Sequence, residues 1–131
     1  MDFIIKNTKW VMLLSGIITA SMFYGVLAPE YALKSMFGVS FNGTLEEIII
    51  RSWSSLVGVI GLVLIYGFFS ESKRVFCISI ASLSKLLFVS LMIIYGQEFF
   101  QHALFAIILD SIVILLTIVF LVAIYKKESI V

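Results

Sequence analysis

Apolar residues fill four blocks of this chain, at positions 10–28, 48–69, 75–96 and 103–125, and polar residues collect mostly between them. Each block is near the roughly 20 residues that a helix needs to cross the hydrocarbon core of a bilayer. Both parities of each block are apolar, whereas a barrel strand alternates over about ten residues, so the blocks predict helices rather than strands. The expected elements are helices over 9–28, 45–69, 73–96 and 102–125.

The connections 70–74 and 97–102 are short, which makes the second, third and fourth helices antiparallel neighbours. The fold class expected is all-α: residues 1–131 as a single up-down four-helix transmembrane bundle. The first connection, 29–43, is longer, and sets Tyr31, Leu33, Met36 and Phe37 among Glu30, Lys34 and Ser35. That pattern predicts a short amphipathic helix at the membrane interface, ended by Gly38. Asn42-Gly43 reads as a turn leading into Thr44-Leu45-Glu46-Glu47. This run predicts a capping box, with Thr44 accepting from the Glu47 amide and the Glu47 carboxylate reaching back.

Composition agrees with a membrane assignment. A hydrophobic share of 62% and a mean hydropathy of +1.17 lie far beyond a soluble domain. Lys6 and Lys9 before the first block, with Val26-Leu27-Ala28 after it, have the look of a cleavable signal. Pro29 follows directly, however, and the apolar run is long for that role, so a retained helix is expected. If the helices alternate, Lys6, Lys9, Lys73, Arg74, Lys126 and Lys127 share one side and Lys34 stands on the other. Translocated loops are poor in lysine and arginine, so both termini are expected in the cytoplasm and the protein in the inner membrane.

A net charge of +1, with no basic stretch interleaved with exposed aromatics, gives no sign of nucleic-acid binding; the juxtamembrane lysines suit anionic lipid. Cys77 is the single cysteine, so neither an intrachain disulfide nor a cysteine metal cluster can form. Glu98 and His102 read as a solvated rim rather than metal ligands. No phosphate loop, hydrolase elbow or zinc-protease motif occurs, so no catalytic residue, metal or intrinsic cofactor is assigned.

The candidate chemistry lies in three ionisable residues, Arg51, Lys85 and Asp110, each alone in an apolar run. Such a charge at bilayer depth costs roughly 2.5–3.5 kcal/mol on insertion scales. Helical spacing sets Arg51 with Ser54, Ser55 and Gly58, Lys85 with Ala81 and Ser82, and Asp110 with Ala103, Ala106 and Thr117. Small residues of this kind line packed interiors, so all three charges are expected to face inward. By helical rise, Asp110 lies about 6 Å and Arg51 about 11 Å nearer the outer face than Lys85. The three read as a ladder, with Asp110 within side-chain reach of either cation.

Two cations against one anion leave positive charge to be offset. Glu47, one turn before Arg51, and Glu30, at the outer end of the first helix, are the expected partners. Tyr24, beside Ser21 and Ala28, is expected to offer its hydroxyl to the same cavity. Arg51 is close enough to the interface to snorkel, and Lys85 with Asp110 could serve purely as an ion pair that fixes helix register.

Ala28-Pro29-Glu30 with Met36-Phe37-Gly38, Ile50-Arg51-Ser52-Trp53, the glycine-containing second helix, and Ser84-Lys85-Leu86 together resemble DoxX-like small four-helix membrane proteins. The resemblance runs from the first helix through the third. It implies a four-helix fold and a polar intramembrane site whose arginine matches Arg51. Relatives of that kind include a subunit linked to sulfur-compound oxidation with quinone as acceptor, and factors that assist receptor assembly. This chain lacks the paired cysteines or cofactor motifs of a self-sufficient redox enzyme.

The leading expectation is a membrane protein whose bundle binds a small amphiphile, a quinone or lipid headgroup, at Arg51, Lys85, Asp110, Glu30, Glu47 and Tyr24. One alternative is an accessory or assembly subunit whose buried charges meet a membrane partner. Another is a proton-coupled transporter working as a homodimer, with Asp110 alternately protonated and paired to Lys85.

Overall fold

The first helix, α1 (Asp2–Ala20), begins well before the apolar block, because no glycine or proline interrupts the chain ahead of Gly16. Asn7 and Thr8 donate side-chain hydrogen bonds to the carbonyls of Phe3 and Ile4, one turn back, and fit the helix without leaving it. A tight turn, Ser21–Phe23, follows, and α2 (Tyr24–Leu27) completes the first span. The computed structural model describes residues 2–40 and 43–130. Asn42, half of the expected turn, lies outside them.

Ala28 leaves the helical region, and Pro29 opens α3 (Pro29–Phe37) at a position where its missing N–H costs nothing. Gly38 ends α3 in the left-handed conformation, φ 74°, and its N–H donates to the Lys34 carbonyl at 2.9 Å. The helix expected in the first connection is therefore present and stops where expected. The remaining elements are α4 (Thr44–Phe69), α5 (Arg74–Tyr95) and α6 (Leu104–Ile130). Helix α6 runs beyond the apolar block through Lys126 and Lys127, again for want of a breaker.

Among the described residues four helical spans are long and apolar enough to cross a membrane, and none forms a strand. The protein is an all-α, multi-pass membrane bundle. Each long helix packs on its neighbours in sequence, and the ring closes where α6 meets α1. One end of the bundle carries both termini and the α4–α5 connection; the other carries α3 and the α5–α6 connection.

The tightest crossing is α1 on α4, and small residues make it so. A methyl group on Gly61 would strike the backbone of Ala20, and one on Gly16 would lie 2.9 Å from the Gly61 carbonyl. Further along, the Phe23 ring covers Gly58, and Gly25 lies against Ser54. The turn at Ser21–Phe23 winds more tightly than an α-helix, which rotates Phe23 and Gly25 onto α4 as the helices continue. With lipid as apolar as leucine, close van der Waals contact of this kind is the main source of helix association.

The interior holds two apolar clusters. Met12, Leu64, Cys77, Ile78, Ala81 and Phe120 fill the half nearer the termini. Val89, Met92, Ala103 and Ile107 fill the half nearer α3, with Phe37, Phe88 and Phe99 against them. The polar interior lies between.

The capping box does not form. Gly43 is the N-cap of α4, so Thr44 is already inside the helix and makes no cap hydrogen bond. Glu46, three residues after that cap, folds its carboxylate back over Gly43. Glu47 is instead held by Arg51, whose charge-assisted bonds are stronger than one from a neutral amide.

Replacing Gly61 by alanine sets the new carbon on backbone rather than on a flexible side-chain end. Thermal unfolding in detergent should show a loss of about 1–3 kcal/mol. Leu14→Ala, on the 65% exposed outer face of the same helix pair, should change it little.

Candidate functional site

Lys85 is 5% exposed at mid-length of α5. Its Nζ donates to Oδ1 of Asp110 at 2.8 Å, from α6, and to Oγ1 of Thr19 at 3.1 Å, from α1. An ammonium has three donors, so one remains, and Oδ2 of Asp110 accepts no hydrogen bond among the described residues. One turn toward the termini, Ser82 and Thr117 share a hydrogen bond of 2.6 Å, and Thr117 donates to the Val113 carbonyl. Three helices are thus tied at one depth by polar contacts that hydrocarbon could not supply.

Lys85, Asp110 and Thr19 form the polar pole of a cavity of about 620 Å³. Apart from Ser21 and Ser84 the walls are apolar, from Met22 on the first span, Leu56 and Val57 on α4, and Leu109 on α6. Toward α3 the lining includes Met36, Trp53 and Phe88. The rings of Trp53 and Phe88 lie 6.5 Å apart, and Phe37 stands 5.7 Å from Trp53 and 6.1 Å from Phe99. On the termini side Met12, Leu64, Ile78 and Phe120 close the bundle below the ion pair.

Arg51 does not join this cavity. It turns toward the junction of α2 and α3, with its side chain 41% exposed, and Nε and Nη2 both donate to Oε1 of Glu47, at 3.2 and 2.7 Å. Its Nη1 donates to the Val26 carbonyl. That carbonyl would ordinarily receive the amide of Glu30, but the helix breaks at Ala28 and leaves it orphaned. A guanidinium at the carboxyl end of a helix also meets the negative end of its dipole. Arg51 therefore caps α2 from α4.

The expected ladder of three charges separates into two neutral pairs in two places. Glu47 offsets Arg51 and Asp110 offsets Lys85, so the uncompensated positive charge expected from the count of ionisable residues is absent from the interior. Glu30 lines a second, more open pocket of about 640 Å³ with Arg51, Glu47 and Lys34. Tyr24 reaches neither cavity: its hydroxyl lies 3.0 Å from Ser35 Oγ and its ring meets Tyr31 edge-on. Among the described residues no group of three histidine, cysteine or acidic side chains could hold a metal ion. The His102 ring packs on Gly38.

Helical spacing set Ser82 beside Lys85 and Thr117 beside Asp110, and the two hydroxyls do meet; Thr19 was not singled out from the sequence. A signal for Thr19 does exist, since Thr8, Ser15 and Thr19 share one face of α1 and all three are buried. Ser15 and Ser54 hydroxyls are buried without a hydrogen-bond partner in the described structure, Ser54 where it meets Gly25.

Lys85→Met should leave Asp110 buried and alone, and thermal unfolding in detergent should show a loss of about 3–5 kcal/mol. Lys85→Met combined with Asp110→Leu should recover most of it, as a paired removal leaves no charge behind. Compared with known proteins, the chain matches no family model, no curated protein and no solved structure.

Proposed function

We propose that this protein holds a small amphiphile, a quinone or the headgroup end of a lipid, in the cavity beside Lys85 and Asp110. The observation that carries this reading is the cavity itself: about 620 Å³, mostly apolar walls, and a polar pole with a spare ammonium donor and a spare carboxylate oxygen. Ligand pockets are typically ~300–1,000 Å³ with a few convergent polar groups, and this one falls within that range. A quinone carbonyl would accept from Lys85 Nζ while its ring lay toward Trp53 and Phe88. The apolar cluster beneath the ion pair favours holding a ligand over conducting one.

The resemblance to DoxX-like proteins supports a polar intramembrane site as the working part of the molecule. Its matching arginine, Arg51, would then act by capping α2 and shaping the junction above the cavity. We propose that the chain belongs to that family.

The test is ligand recovery. Protein purified in mild detergent should carry an extractable quinone or lipid, identified by mass spectrometry. Ala106→Trp, which fills the cavity, should reduce recovery about tenfold, the equivalent of ~1.4 kcal/mol. Wild-type protein that carries no amphiphile, with Ala106→Trp equally empty and equally stable, would refute the reading.

We further propose that the end carrying both termini faces the cytoplasm of a cell whose inner membrane holds the protein. The support is the gathering of Lys6, Lys9, Lys73, Arg74, Lys126 and Lys127 there, against Lys34 at the other end. In a Cys77→Ser background, Val39→Cys should react with an impermeant maleimide on intact cells. Glu71→Cys should react only after permeabilisation, and the reverse pattern would invert the topology.

A further inference from the structure

The open pocket between α3 and the start of α4 has a charge pattern that the interior cavity lacks. Ala28, Pro29 and Tyr31 form its apolar surface, and Glu30, Lys34, Glu47 and Arg51 supply two charges of each sign. Of these, only Glu47 and Arg51 are paired with each other. Glu30 and Lys34 make no hydrogen bond or ion pair among the described residues, although they lie one turn apart on α3.

The valences left open can be counted. Arg51 has five N–H donors and spends three of them, two on Glu47 and one on the Val26 carbonyl. Lys34 keeps all three of its donors, Glu30 keeps both oxygens, and Glu47 keeps Oε2. The pocket therefore presents a cationic group of donors beside an anionic group of acceptors, with no net charge. An anion alone would leave Glu30 facing like charge, and a cation alone would do the same to Lys34.

A ligand that carries both signs a few bonds apart answers every open valence. From this we propose that the pocket is a second binding site, for a zwitterion that joins an oxyanion to a primary ammonium, of which phosphoethanolamine is the type. The oxyanion sits on Lys34 and the two open donors of Arg51. The ammonium donates to Glu30 and to Oε2 of Glu47. A quaternary ammonium has no N–H to give and fits less well, and an anionic glycerol headgroup leaves Glu30 unanswered. Arg51 stands seven residues into α4, roughly 10 Å along the helix from Thr44, within reach of headgroup phosphates by a long side chain. The site is separate from the interior cavity and does not rest on the function proposed for it.

Native mass spectrometry of the whole protein in detergent, with added phosphatidylethanolamine, phosphatidylcholine or phosphatidylglycerol, tests the assignment. Phosphatidylethanolamine should be retained about tenfold more than either of the others, as expected for added charge-assisted hydrogen bonds. Glu30→Gln should abolish that preference and leave phosphatidylcholine retention unchanged, whereas Lys34→Gln should weaken both zwitterionic lipids. Both side chains are exposed and unpaired, so unfolding temperatures should stay at the wild-type value. Ala106→Trp should leave the preference intact, which separates this site from the cavity. Glycerophosphoethanolamine, added without lipid, distinguishes the sources: binding of it alone assigns a soluble ligand, and binding of the lipid only assigns a membrane one. Equal retention of the three lipids with no binding of glycerophosphoethanolamine, or a preference that survives Glu30→Gln, would overturn the proposal.

Discussion

Lys85 and Asp110 face each other across α5 and α6 at a depth where neither charge is tolerable alone. Their 2.8 Å contact is the constraint around which the interior is arranged. A charge left single in hydrocarbon forces the helix that carries it to shift, tilt or admit water, so the pair fixes the rotation of α5 and α6 together. Thr19 extends the constraint to α1, and the Ser82–Thr117 bond repeats it one turn away. The apolar clusters on either side then pack against a layer whose register is already set.

The fourth wall is built differently. Helix α4 carries no charge into that layer and joins the bundle through Gly58 and Gly61, where α1 touches it almost backbone to backbone. Closeness at that crossing leaves space elsewhere among the helices, and the cavity lies beside Thr19 and Met22 of the first span as well as Trp53, Leu56 and Phe88. A polar tie on one side and a small-residue crossing on the other frame a cavity that all four spans line. Arg51 completes the frame from above, because the break at Ala28 that lets α3 lie across the bundle also orphans the Val26 carbonyl to which Arg51 donates.

Much of this was legible along the chain. The apolar blocks marked the spans, Gly38 marked the end of α3, and the isolation of Lys85 and Asp110 marked the pair that meets. The joining of Arg51 to Asp110 in one ladder was not supported, because depth along a helix says nothing of direction around it. Arg51 and Asp110 come within reach by rise alone, yet Arg51 points at the α2–α3 junction. The capping box failed for a related reason: Glu47 fitted two local roles, and the choice went to the partner with the fuller charge.

What the sequence determined by itself is whatever depends on neighbours within a turn or two. That includes the helices, the gathering of basic residues at one end, the small-residue faces and the two charges too deep to stand alone. The tertiary structure decided which charges share a space, that Thr19 joins Lys85 and Asp110, and that Arg51 lines a different cavity from theirs. The physical reason is that a helix can rotate or slide by one side-chain length without changing its own sequence pattern. The contact of Gly16 and Gly61 with the opposing backbone, and the reach of Lys85 to two other helices, remove that freedom.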